Sequence, residues 1–319
     1  MRKIKPGEFI PEIFVKTGAY VSIAIIVFIF YFVFSKAGPT IRDSGFSLLT
    51  RGGFDSQLRR AFNGEPNVEF GLLGLLWGTF ASTAIALIFA SFLGIATAVV
   101  IVEYAPRRIA AILLGFVRLL ASIPSIVFGL VCLMTVVPLV ERLFITPEKQ
   151  IAYLAFFQMT GRGLLASATV LTFMIVPMII SLSIDAMQSV PLSYIEAGYS
   201  FGMTRFRVMM KVVFPSARSG IIASMILAAG RGIGEAIAVS LVCGGYGYLP
   251  DLSTGFASLL APILTLSTAI VNKSEGMSVA SVQAALFTCG AALLVFGAIM
   301  SVGSKVIEKM IRKREGYDA

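Results

Sequence analysis

Arg231 and Glu235 stand four residues apart in the stretch LAAGRGIGEAIAV, Leu227 to Val239, inside a long apolar run. An arginine at mid-bilayer costs about 2.5–3.5 kcal/mol on insertion scales, so an isolated one is hard to keep there. A continuous helix puts the two residues on one face, a turn apart. The guanidinium then offers a fork of donors to an oxyanion. The carboxylate offsets part of the charge cost. Gly230, Gly232 and Gly234 remove side chains around the pair, which admits another helix or a ligand to the backbone. They also loosen the helix, each by up to about 1 kcal/mol relative to Ala. Two roles fit: a salt bridge locking helices together, or a ligand or gating site facing a wet cavity. Arg before Glu is the weaker order for a local helix pair, which leaves Arg231 freer to contact something else.

A second stretch, LLASIPSIVFGL from Leu119 to Leu130, has polar groups around a proline. Pro124 removes one helix hydrogen bond and clashes with the preceding turn. Ser122 and Ser125 are placed to satisfy the freed carbonyls. The stretch reads either as a packing kink or as a kinked wall whose hydroxyls face an anion. Arg118, just before it, is placed to snorkel toward the cytoplasmic face.

Other chemistries are poorly represented. There is no His, which removes imidazole acid–base work and most zinc sites. Cys132, Cys243 and Cys289 are scattered through apolar segments and read as small core hydrophobes, with no disulfide framework and no metal site. No GxxxxGK[ST] phosphate loop occurs. GRGIGE lacks the last glycine of a dinucleotide fingerprint and follows no strand.

The elements that must position these residues follow from composition. Of 319 residues, 57% are hydrophobic and 13% charged, far too little charge to cover a soluble protein of this length. Six apolar segments are long enough to span a bilayer as helices: about 19–36, 72–102, 109–140, 163–184, 217–242 and 279–304. The chain is expected to be an all-α integral membrane protein. Its N-terminal apolar run reads as an anchor and not a cleaved signal. Lys and Arg in the alternate connections number 15 on one side and 8 on the other. The richer side is cytoplasmic, which places both termini inside. The net charge of +9 therefore reflects orientation and not nucleic-acid binding. Phe256 to Val271 is apolar but short and contains Pro262, so it reads as an external or re-entrant element. The organisation expected is residues 1–70 as a cytoplasmic segment, first span and external loop, 71–306 as a five-helix core, and 307–319 as a basic cytoplasmic tail.

The long inside connection reads VPLSYIEAGYSFGMTRFRVMMKVVFPSARSG. Ser193 and Glu196 have capping-box spacing, and Gly202 suits a turn between two short helices. Phe206, Met209, Met210 and Val213 fall on one helical face, and Pro215 is expected to stop the run. Such a unit lies on a membrane surface or fits a groove on a partner.

Glu196-Ala197-Gly198, three residues, Gly202, nine residues, then Val212-Val213-Phe214-Pro215 resembles the EAA loop of binding-protein-dependent ABC-transporter permeases. Gly198, Val212 and Phe214 are mild departures from that pattern. GRGIGEAIAV and LLASIPSIVFGL are similar to segments of phosphate permeases of the PstC type, with Gly232, Ala236 and Ser122 as departures. The likeness runs from about residue 70 to 306.

The resemblance implies a type I importer fold, in which Glu196, Ala197, Gly198, Gly202 and Pro215 belong to the coupling helix. It implies a bacterial inner-membrane importer of inorganic phosphate, with Arg231 and Glu235 on the substrate path and Ser122 and Ser125 beside it. It implies as partners a second permease of PstA type, an ATPase dimer and a periplasmic phosphate-binding protein. ATP and Mg²⁺ are then bound by the ATPase, and this chain has no cofactor and is not an enzyme. On that reading Glu235 accepts a hydrogen bond from a protonated phosphate oxygen, which sulfate lacks. A permease for molybdate, sulfate or phosphonate, and a non-transporting sensor or scaffold, are the alternatives.

Overall fold

The computed structural model describes residues 9–65, 68–153, 157–247, 249 and 252–314. Arg2, Lys3 and Lys5, which carry much of the N-terminal charge, lie outside them. The helices in chain order are α1 (Phe9–Ser44), α2 (Ser47–Thr50), α3 (Phe54–Phe62), α4 (Leu73–Val99), α5 (Arg107–Ser122), α6 (Ser125–Met134), α7 (Val136–Phe144) and α8 (Pro147–Tyr153). They continue as α9 (Leu164–Gln188), α10 (Leu192–Ser200), α11 (Arg205–Val208), α12 (Phe214–Gly234), α13 (Ile237–Val242), α14 (Leu266–Asn272) and α15 (Ala280–Arg314). Six helical stretches are long and apolar enough to cross a membrane: Phe14–Ser44, Leu73–Tyr104, Ser125–Phe144, Leu164–Gln188, Arg205–Gly234 and Ala280–Ile307. The chain is a multi-pass membrane protein.

The bundle is organised around α9, of whose most apolar stretch 61% is buried. The close approach of α4 has a sequence cause. Gly74, Gly78, Ser82, Ala86, Ala90, Gly94 and Ala98 recur every fourth residue and are all buried. That ridge has almost no side chains, so backbones can come together. A Cβ at Gly94 would lie 2.8 Å from Cγ2 of Ile179 on α9. Helix α1 stands apart from this core. Its outer residues from Phe14 to Phe34 are largely exposed, and it leans on α15, with Phe32 edge-on to Phe287 at 5.7 Å.

Several expectations are corrected. The third segment is two unequal pieces and not one span. Ile123 (φ −64°, ψ 131°) and Pro124 (φ −57°, ψ 137°) are extended, so α5 and α6 are separate helices. The proline disfavours α conformation in the residue before it, which turns the expected kink into a full break. The fifth segment is broken likewise at Glu235, as described below. Ser193 does not cap α10; Pro191 occupies that position and no side chain caps the helix.

Pro215 does not stop the coupling segment either. A π-turn at Met209–Val213 joins α11 to α12, and the helix runs unbroken from Arg205 to Gly234. The wider turn lies one residue before Phe214 and accommodates the missing N–H of the proline. The inserted residue also rotates the register. Val208, Met209 and Val213 are buried, while Phe206 and Met210 are exposed.

The segment after residue 252 enters the body of the protein. Leu260 to Ala269 are buried without exception. Gly244 and Ile263 pair as an isolated parallel bridge. Gly78 on α4 makes room for this segment, since a Cβ there would come within 2.6 Å of the Leu264 carbonyl oxygen. Overpacking of this kind costs about 1–3 kcal/mol. Gly78→Val is expected to lower the thermal unfolding midpoint of the detergent-purified protein, and an unchanged midpoint refutes the contact.

Candidate functional site

Helix α12 ends at Gly234. Glu235 is extended (φ −72°, ψ 119°), Ala236 follows at φ −108°, and α13 begins at Ile237. Arg231 and Glu235 are therefore not on one continuous helix face, and among the described residues they form no ion pair. The cause is local and tertiary together. Gly232 and Gly234 weaken the helix. The Glu235 carbonyl is then captured by the Ser267 hydroxyl, which donates to it at 2.7 Å. The Glu235 carboxylate turns forward, and Oε1 accepts from the Ala238 N–H at 3.2 Å. It thus satisfies one of the orphan donors at the start of α13. Glu235 thus supports the break through Oε1 and its carbonyl, and Arg231 lies exposed at the subunit surface without a hydrogen-bond or ion-pair partner among the described residues.

Ser267 is itself held. The Thr265 side chain and the Thr268 side chain cap each other's backbone, with Thr265 N to Thr268 Oγ1 at 2.8 Å and Thr268 N to Thr265 Oγ1 at 3.2 Å. Thr265 Oγ1 also lies 3.0 Å from Ser267 Oγ. Leu266 N donates to Thr79 Oγ1 on α4 at 3.0 Å. These four hydroxyls were missed by sequence reasoning. The signal was Thr265 three residues before Thr268, a capping spacing without the acidic partner usually sought.

The helix that follows the break at Pro124 packs on the helix that follows the break at Glu235. Gly129 on α6 meets Ala238 on α13, where a Cβ would be 2.8 Å from the Ala238 Cα. Both helices lead away from the end of the bundle where Ile101, Val117, Val208 and Met209 cluster. Ser122 is exposed, and its hydroxyl donates to the Leu119 carbonyl at 2.7 Å. Ser125 is half-buried. Arg118 is exposed on α5, on the coupling-loop side of the break.

At the end of the bundle nearest that cluster, α10 carries Glu196 and Ala197 exposed and Gly198 buried. The glycine lets α10 pack on the next helix, since a Cβ would be 3.1 Å from Cγ2 of Val208. Gly202 turns the chain at φ +72°, a conformation that costs other residues strain. Leu192, Phe201 and Phe206 remain more than half exposed around this turn, an apolar patch of the kind that marks a protein contact.

Six spans, two helix breaks and a short helical hairpin at one end define a multi-pass permease of the type I importer fold. The chain belongs to the binding-protein-dependent transport system inner membrane component family, which matches residues 90–313. It is 36% identical over 203 residues to the probable ABC transporter permease protein YqgH of Bacillus subtilis (strain 168), covering 64% of this chain and 62% of that protein. It is 32% identical over 252 residues to the phosphate transport system permease protein PstC of Mesorhizobium japonicum, covering 76% of this chain and 71% of that one. In fold it is similar to a chain of the inward-facing MetNI methionine ABC transporter, with TM-score 0.53 and 18% identity over 74% of this chain and 93% of that chain.

Ser267→Ala removes the clasp on the Glu235 carbonyl at a cost of about 1 kcal/mol. Amide hydrogen exchange is expected to speed up at residues 235–239 and to stay unchanged in α9. Unaltered exchange at the break contradicts the assignment.

Proposed function

We propose that this chain is the permease subunit of an ATP-driven importer of inorganic phosphate. The exposed, partnerless guanidinium of Arg231 beside a helix break carries the reading. A cation of this kind within a span is expensive in lipid. A paired second permease, homologous and of PstA type, covers this surface and leaves a wet path between the two subunits. Phosphate passing there meets the donor fork of Arg231. Ser122 and Ser125, which flank the break at Pro124, supply hydroxyls. The relatives named as phosphate permeases favour phosphate over molybdate, sulfate or phosphonate.

The coupling route follows the backbone. The apolar patch around Gly202, with Glu196 and Ala197 on its helix, docks an ATPase dimer, which takes ATP and Mg²⁺. On this reading hydrolysis belongs to the ATPase and not to this chain. One unbroken helix runs from Arg205 to Gly234, 30 residues or about 45 Å at 1.5 Å per residue. Motion of the docked loop is thus delivered to Arg231. The break at Glu235 lets α12 move without dragging α13. A periplasmic phosphate-binding protein delivers substrate to the opposite face, and both termini lie in the cytoplasm of a bacterial inner membrane, as the distribution of Lys and Arg requires.

Uptake of labelled phosphate by the assembled transporter tests the reading. Arg231→Gln is expected to lower uptake at least tenfold, about 1.4 kcal/mol or more, with Arg231→Lys intermediate. Wild-type uptake in Arg231→Gln points to a sensor or scaffold, and equal competition by sulfate or molybdate points to a broader oxyanion permease. Gly202→Val, where the strained turn costs about 1–3 kcal/mol, is expected to depress both uptake and substrate-stimulated ATP hydrolysis. Retention of both would separate the loop from coupling.

A further inference from the structure

A second anion-binding arrangement lies at the other end of α13. A cavity of about 600 Å³ is lined by Leu133, Val137, Glu141, Gln150, Thr160 and Arg162. Arg162 is presented there by two glycines. Gly161 has φ +69°, and a Cβ on it would strike the Val137 carbonyl and come within 3.3 Å of the Glu141 Cβ. A Cβ on Gly163 would strike the Ala261 carbonyl and lie 2.8 Å from that of Leu260. Gly163 N also donates to the Val242 carbonyl at 2.9 Å, and Leu164 N to that of Ala261 at 3.0 Å. The backbone carrying Arg162 is therefore wedged between α7, the end of α13 and the buried segment after residue 252. The backbone is fixed there, and the exposed Arg162 side chain extends from it into the open cavity.

Arg162 and Glu141 share this cavity, yet among the described residues neither side chain has a hydrogen bond or an ion pair. Gln150 Nε2 reaches the Met159 carbonyl only at 3.5 Å, a weak bond. The cavity thus offers a guanidinium, a hydroxyl from Thr160 and an amide as donors, and one carboxylate that can only accept. A fully deprotonated oxyanion satisfies the donors but faces bare repulsion from Glu141. An oxyanion carrying one proton satisfies both, because its P–OH donates to the carboxylate.

We propose that the cavity bearing Arg162 and Glu141 is an outer binding site for a protonated oxyanion of the hydrogen-phosphate class, in series with Arg231. It rests on the transport reading above and adds an earlier station to it. Between the two stations lie the last residues of α12, the break at Glu235 and α13, of which α13 alone spans about 9 Å. The discrimination against sulfate expected of Glu235 from the sequence has a second carrier here in Glu141, while Glu235 caps α13 through Oε1 alone. Phosphate oxygens could also come from lipid headgroups, and the experiment separates the two sources.

The assembled transporter carrying Thr160→Cys is labelled with membrane-impermeant anionic or cationic methanethiosulfonate reagents. The native Cys132, Cys243 and Cys289 are buried. Gln150→Cys serves as a second reporter if Thr160→Cys fails to assemble. The anionic reagent is expected to react about tenfold faster than the cationic one, the effect of one well-placed charge-assisted contact of about 1.4 kcal/mol. Inorganic phosphate at millimolar concentration is expected to slow labelling, and sulfate is not. Arg162→Gln is expected to abolish both the charge preference and the protection. Glu141→Gln is expected to let sulfate protect as phosphate does.

Absence of phosphate protection overturns the site, as does protection that survives Arg162→Gln. Charge preference that depends on anionic lipid in the nanodisc and ignores added phosphate assigns the cation to headgroups and overturns it too. Sulfate that protects the wild-type site, or that still fails to protect Glu141→Gln, overturns the role of Glu141. Phosphate uptake by Arg231→Gln is measured alongside. Normal uptake there with intact protection at residue 160 rejects the route through Arg231 and leaves the outer site standing.

Discussion

The hydroxyl of Ser267 against the carbonyl of Glu235 joins two segments that sequence separates by 32 positions. A helix ending inside a membrane leaves carbonyls and amides that hydrocarbon cannot satisfy. Here the segment after residue 252 enters the bundle and supplies the missing donor, while the Glu235 side chain supplies the acceptor for α13. Arg231 is left outside this exchange.

That clasp depends in turn on close backbone approach. The segment bearing Ser267 reaches Glu235 only because α4 presents Gly78 and Thr79 where it passes. The glycine admits the Leu264 carbonyl and the threonine hydroxyl receives the Leu266 amide. The same ridge of small residues sets α9 against α4 further along. One helix face thus serves both the core packing and the support of the break. It does so without a single ion pair, which suits a low-dielectric interior where burying charge is costly.

The unbroken helix from Arg205 to Gly234 and the broken one beyond it divide the labour. A continuous helix is stiff along its axis, so Arg205 and Arg231 belong to one rod. The extended residues at Glu235, and at Ile123 and Pro124 on the neighbouring strand of the bundle, are where φ and ψ can change at small cost. Beyond the two breaks, α6 and α13 pack directly on each other at Gly129 and Ala238.

Much of this was legible in the residues alone. Apolar segments of bilayer length must become helices because no other local structure satisfies its own backbone there. Six such segments, the Glu196 to Pro215 spacing and the turn at Gly202 follow from that and from glycine's freedom at positive φ. The position of Arg231 in a span was equally plain.

What tertiary structure decided was where helices stop. A window of apolar residues looks the same whether the helix runs through it or breaks, so 109–140 and 217–242 each read as one span. The break at Glu235 needed a hydroxyl from Ser267, and no local pattern around residue 235 announces a partner in another segment. Likewise Glu141 and Arg162 meet only because Gly161 and Gly163 fit against Val137 and Ala261, contacts that exist only once the chain is folded.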